Sequence, residues 1–266
     1  MEVVCNMHFQ NYEPVQYKHN ILFHVVFQAR FPEIMRIQHE PPIAFQDAMR
    51  TEGYTEINHS VPPILPGIIP NQALDVGRLF HFLTEQRDWE VTLAQDFMSL
   101  GCHRNYSSYS EFKEKLEKVL RIFHKIYRPS YFTRIGLMYR NMANKTFLSH
   151  LQQVDIESFI PEHIFPVLAT PMAGDVLSLQ TMSQFDDNEI RATVTHTLSQ
   201  VSGGFGHRQV TNERSYIIDI DCFYERNVGV IDEVFTKCDL FKELERNIFE
   251  WSITDTLRGA MGKSES

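Results

Sequence analysis

Tyr131-Phe132-Thr133-Arg134-Ile135-Gly136-Leu137-Met138-Tyr139-Arg140-Asn141 is the stretch on which the fold turns. Ile135, Leu137 and Tyr139 alternate with Arg134, Gly136, Met138 and Arg140, the period-two pattern of a strand with one buried face. The segment from Ser108 to Arg128 leads into it and reads as the clearest helix of the chain. Phe112, Leu116, Val119, Leu120, Phe123, Ile126 and Tyr127 keep helical spacing on one stripe. Ser108 and Glu111 form a capping-box pattern, and Pro129 is the stop. Lys113, Glu114, Glu117, Lys118 and Lys125 make the wet face. A helix feeding a strand therefore sits near the middle of the chain.

Towards the N-terminus, residues 21–31 are rich in β-branched and aromatic types and end at Pro32, which reads as a strand partly buried on both faces. Pro41-Pro42 opens a short helix through Phe45, Ala48 and Met49, ended at Gly53. Residues 60–70 set Pro62, Pro63, Pro66 and Pro70 among Val61, Ile64, Leu65, Ile68 and Ile69. Helices and central strands exclude that pattern, so an extended strap is expected, packed on its own domain or reaching a second copy in a symmetric dimer. Arg78–Leu83 and Trp89–Leu100 read as two strands. With the helix and the 131–141 strand, this half predicts an α+β layer of ferredoxin-like type.

Towards the C-terminus, residues 143–175 read as a connecting segment. Three strands are expected at 176–185, 189–201 and 214–224, with turns at Asp186-Asp187-Asn188 and Ser202-Gly203-Gly204-Phe205-Gly206, forming an antiparallel meander. A long helix follows from Val230 to about Met261, recapped by Ser252 and Asp255, and then a frayed tail from Gly262. The expected organisation is an α+β half (1–142), a connector (143–175) and a strand-plus-helix half (176–266), without any sequence repeat.

The 266 residues, 43% hydrophobic, are enough for a full core. The balance of 25 Lys+Arg against 34 Asp+Glu gives a net charge of -9, which disfavours nucleic acid as a partner. Cys5, Cys102, Cys222 and Cys238 are scattered and fit reduced thiols. Met1 to Asn6 lacks the features of a signal peptide, and no run reaches the ~18 apolar residues of a membrane span. A cytoplasmic protein without a membrane role is the expectation.

Asp219 and Asp221 lie two apart on one strand face, so they could hold a hard cation or act as acid and base, although a surface or ion-pairing role is the commoner one. Arg134 and Arg140 project from the face opposite Ile135 and Leu137. They could bind an anionic ligand or pair with helix acids, pairing being favoured. These four, Arg134, Arg140, Asp219 and Asp221, are the candidate ligand-binding residues. His196 shares an apolar strand face with Ile190, Ala192, Val194 and Leu198 and reads as an interior, hydrogen-bonded histidine. The 202–206 glycines match no phosphate-binding loop. H-x-x-x-H, H-E-x-x-H and G-x-S-x-G are all absent, so no metal, cofactor or catalytic residue is assigned.

Val25-Val26-Phe27-Gln28-Ala29-Arg30-Phe31-Pro32, Trp89 through Leu100, Arg134 through Asn141, Ile218-Asp219-Ile220-Asp221 and Phe249-Glu250-Trp251-Ser252-Ile253-Thr254 occur in that order. Together they resemble a sporadically distributed family of uncharacterised prokaryotic proteins of about this length. Met138 stands where that family's G-L-R-Y-type strand carries a basic residue. The resemblance implies no catalytic residues; its patchy distribution implies a link to mobile elements or anti-phage defence. The leading expectation is a non-catalytic protein that binds a protein partner, a homodimer being one such assembly. The rival is a nucleotide- or nucleic-acid-acting enzyme or sensor whose Arg and Asp residues share one pocket.

Overall fold

The computed structural model describes residues 7–60, 78–187 and 189–263. In chain order its elements are β1 Leu22–Arg30, α1 Met35–His39, α2 Ile43–Thr51, β2 Glu56–Ser60, β3 Leu79–Leu83, β4 Trp89–Leu93, β5 Phe97–Cys102, α3 Tyr109–Tyr127, β6 Arg134–Ala143, β7 Leu179–Asp186, β8 Arg191–Phe205, β9 Arg208–Tyr224, α4 Ile231–Trp251 and α5 Asp255–Met261. The nine strands follow the order β2-β3-β4-β5-β1-β6-β9-β8-β7 in one sheet, and the class is α+β. Among the described residues no helix is long and apolar enough to cross a membrane. Residues 61–70 of the proline-rich strap, Cys5 and the tail Ser264–Ser266 lie outside the described residues.

The chain divides into two compact units. A central unit holds Val26–Ile135 and Glu225–Thr236; a terminal unit holds the chain up to Val25, Gly136–Tyr224 and the chain from Lys237.

In the central unit β2 to β5 run as an antiparallel meander, with Phe82 opposite Val91 and Val91 opposite Leu100. Strand alternation buries Phe80, Phe82, Trp89, Val91, Leu93, Met98 and Leu100, and turns His81, Glu90 and Thr92 to the other face. α3 covers the apolar face. Its stripe from Phe112 to Phe123 is buried, with the Phe123 ring 4.8 Å from Phe31 and Phe112 5.7 Å from Trp89. α2 adds Phe45, 5.2 Å from Phe82. Ser108 caps α3 by accepting the Glu111 N–H, but the Glu111 carboxylate takes the Ser107 hydroxyl instead of closing the capping box. The stretch 89–100, expected as one strand, is two. It reverses at Ala94-Gln95-Asp96, whose last two carbonyls accept the N–H groups of Ile34 and Phe31.

The terminal unit repeats the plan of a meander followed by a long helix. β7, β8 and β9 are antiparallel, with His196 opposite Ile218 and Val194 opposite Ile220. Ala192, Val194, His196, Leu198, Tyr216, Ile218, Ile220 and Cys222 are buried together with Cys238, Phe241 and Ile248 of α4. The turn between β8 and β9 falls at Gly206-His207 rather than across the whole 202–206 glycine run. Ser202 to Phe205 continue β8 past a bulge between Val201 and Gly203. Gly203 takes φ 151° there, and a Cβ on it would lie 3.3 Å from the Phe205 ring.

Residues 143–175, the expected connecting segment, also contribute to the core. Three 3₁₀ turns, Glu157–Phe159, Pro166–Ala169 and Pro171–Asp175, accompany the burial of Phe147, Leu148, Phe159, Ile164 and Phe165. The C-terminal helix breaks after Trp251, where recapping was expected. The Ser252 hydroxyl donates to Ile248 O at 2.7 Å, and Thr254, not Ser252, caps α5 by accepting the Leu257 N–H. Gly262 and Lys263 are tied down rather than frayed: Lys18 N–H donates to Gly262 O at 2.9 Å, and Lys263 bridges Tyr17.

Candidate functional site

β6 and β9 bring two of the four expected ligand residues together. The Arg140 guanidinium grips Asp219 with both prongs, Nε to Oδ1 at 3.0 Å and Nη2 to Oδ2 at 3.2 Å, and lies 5.3 Å over the Phe23 ring. Its partner is thus a strand acid, where a helix acid was expected. Asp221 is two residues along the same face of β9; Thr195 stands opposite Asp219 and Thr193 opposite Asp221. Arg134 belongs to the central unit and has the Glu225 carboxylate at 4.0 Å. The four residues therefore do not present four free charges to one ligand. Among the described residues no group of His, Cys, Asp and Glu could hold a metal ion.

A fork-to-fork Arg–carboxylate pair is pre-organised, yet its side chains are 37% and 28% exposed, and water screens the attraction. Arg140→Met combined with Asp219→Asn is expected to show a coupling of about 0.5–1 kcal/mol in a double-mutant cycle read by urea melts. A coupling near zero would mean that the two groups are not paired in solution.

Behind the strand face, His196 is interior as expected. Ser252 Oγ gives its proton to Ile248 O and so accepts from His196 Nε2 at 3.0 Å, which fixes the ring's tautomer. Tyr216 stacks on His196 at 6.1 Å and donates its hydroxyl to Ser252 O. Burial, aided by the nearby His163, holds the His196 pKa down to about 4. Glu245 of α4 is wholly buried and neither carboxyl oxygen meets a donor at hydrogen-bonding geometry. Burial first, then the Asp221 charge, push its pKa well above the usual carboxylate range; the Cys222 backbone acts in the opposite sense.

The central unit holds a constellation that motif reading missed. On the outward face of β2 to β5, Ser60 Oγ lies 2.8 Å from His81 Nε2, and His81 Nδ1 lies 2.7 Å from Glu90 Oε1. Glu90 also accepts Thr92 Oγ1 at 2.9 Å and, through Oε2, His103 Nε2 at 3.0 Å. The His103 hydrogen bond, opposed by burial and reinforced by His81 and Thr92, lowers the Glu90 pKa to about 2, so its carboxylate stays charged. Strand register explains the assembly: His81 is opposite both Asn58 and Thr92, so Ser60 and Glu90 are its diagonal neighbours on one face.

No protein family, curated protein or solved structure matches this chain. Geometry is what remains. The Arg140–Asp219 pair can orient strands and present a polar face, while the Ser60–His81–Glu90 chain can move a proton.

Proposed function

We propose that this protein works by binding, and that its interface is the β7 edge of the terminal unit, where a second copy adds its own β7. The observation that carries the reading is the edge itself. β7 closes one end of the strand order and is paired along its whole length to β8. From Leu179 to Phe185 no backbone hydrogen bond from another described segment reaches its outer side. Natural edges are blunted by lysine, proline, bulges or shortness; Leu179 to Asp186 is eight residues long and carries none of these. Exposed apolar side chains lie on it and just before it, with Leu177 at 85% and Met182 at 67%.

The occupant follows from the residue types. Read about Met182, the sequence Leu179-Gln180-Thr181-Met182-Ser183-Gln184-Phe185 is a near palindrome. Antiparallel pairing across a two-fold axis sets Leu179 against Phe185, Gln180 against Gln184, Thr181 against Ser183 and Met182 against itself. Like types meet on each face, and no like charges are opposed. Strand addition of this kind takes its affinity from main-chain bonds and its selectivity from alternate side chains.

Around that interface the wider reading stands as a proposal too: a cytoplasmic component of a prokaryotic defence or mobile-element system whose binding role requires no catalysis, its N-terminal half ferredoxin-like in the sense of helices on one face of an antiparallel sheet. Mutual neutralisation of Arg140 and Asp219 weighs against the rival Arg/Asp pocket. Light scattering on a sizing column is the test. The protein should elute at twice its 31.1 kDa, and Met182→Lys should halve that mass with an unchanged melt, since it sets two lysines face to face on the edge. A parent that runs as a monomer at every concentration overturns the proposal.

A further inference from the structure

Beyond that binding role, we infer that Ser60, His81 and Glu90 form a nucleophilic site in the central unit that hydrolyses small carboxylic esters. The geometry meets the three requirements of an activated serine. The nucleophile is hydrogen-bonded to its base, Ser60 Oγ to His81 Nε2 at 2.8 Å. The base is held by an acid, His81 Nδ1 to Glu90 Oε1 at 2.7 Å. The acid is itself fixed, because Thr92 and His103 occupy other lone pairs of the same carboxylate. A carboxylate that accepts from Nδ1–H selects the tautomer whose Nε2 lone pair faces the hydroxyl, the arrangement of a Ser-His-acid triad.

Each residue stands on a different strand, β2, β3 and β4, so three backbones joined by ladders hold the chain of groups in place. Ser60 is exposed, and Leu79 directly across from it offers a small apolar surface to an acyl group. Asn58, two residues earlier on the same face, carries the amide donors an oxyanion needs. A site this open suits a short acyl chain.

The step balances without any added reagent. Ser60 Oγ attacks the ester carbonyl carbon while its proton passes to His81 Nε2. The tetrahedral adduct collapses, the carbon–oxygen bond to the alcohol breaks, and the leaving oxygen takes the proton from His81. Water then attacks the acyl-serine with His81 as base, giving the free acid and restoring the Ser60 hydroxyl. Glu90 stays charged throughout and stabilises the imidazolium. Its role is positional.

The test uses the full chain with a fluorophosphonate probe, and with p-nitrophenyl acetate as substrate. Peptide mass spectrometry should find the phosphonyl adduct on Ser60, and Ser60→Ala should remove both the adduct and the esterase rate above buffer. His81→Gln should slow labelling on the order of 100-fold, the usual share of a general base. Both changes are on an outward face, so a thermal melt should match the parent and separate lost chemistry from lost fold. Absence of the Ser60 adduct on folded parent overturns the inference, as does equal labelling in His81→Gln. Neither result touches the β7 interface, which is read by mass alone.

Discussion

Phe123→Ala is expected to remove about 3–5 kcal/mol from the folding free energy, because a buried ring is lost and its cavity cannot fully close. The ring is fully buried, 4.8 Å from Phe31 on one side and 5.4 Å from Tyr127 on the other. Phe31 follows β1 and Tyr127 ends α3, so the change loosens the helix from the strand layer it covers. The midpoint of a urea melt should fall with little change in slope, the sign of lost stability rather than an altered unfolded state. Lys118→Ala, on the wet side of the same helix, breaks an exposed pair with Glu114 and should leave the midpoint almost unmoved. Equal effects at the two positions would mean that the stripe is not core.

That helix was the most legible part of the sequence because its signals are local. A cap, a stop and a 3.6-residue stripe need no knowledge of the rest of the chain. Where tertiary contacts set the structure, sequence reading erred. The reversal at Ala94-Gln95-Asp96 contains neither glycine nor proline; it is held by Phe31 and Ile34, some sixty residues earlier in the chain. The glycines at 203 and 204 pointed to a turn, yet a bulge absorbs them into β8. A frayed tail was expected from Gly262, but Lys18 N–H holds Gly262 O and Tyr17 bridges Lys263.

The candidate sites divide in the same way. Strand alternation placed Arg140, Asp219 and Asp221 on outward faces correctly, since a face is a local property. The partner of Arg140 was not legible, because it depends on which strand lies beside β6. The Ser60–His81–Glu90 chain was invisible for a related reason. Its members are 21 and 9 residues apart and share no local pattern; only the β2–β3–β4 register puts them in reach. The signal that could have found them is the outward parity of His81, Glu90 and Thr92 on adjacent strands, read once a meander had been assumed.

Glu245→Met is expected to stabilise the protein, and to do so more strongly as the pH rises. Glu245 lies on the buried face of α4 near Phe241 and Ile248, where the Cys222 backbone offers its carboxyl only a weak contact short of full hydrogen-bonding geometry. Burial and the Asp221 charge both favour the protonated form, so the folded-state pKa is raised. Below the unfolded value of 4.5 both states carry the proton and nothing is lost. Above it the unfolded chain releases the proton while the folded one keeps it, and stability falls by about 1.4 kcal/mol per pH unit until the folded carboxyl also ionises. Methionine fills a similar volume, titrates nowhere and is at home in a core. His196 works in the opposite direction. With its folded pKa near 4 against 6.5 unfolded, it costs stability as the pH falls between those values. Because His196 is present in both proteins, it cancels in the difference between variant and parent. Urea melts at pH 5 and pH 7.5 should therefore show a gap that widens with pH. Parallel curves would mean that Glu245 titrates alike in the folded and unfolded chain, and that its burial is relieved in solution.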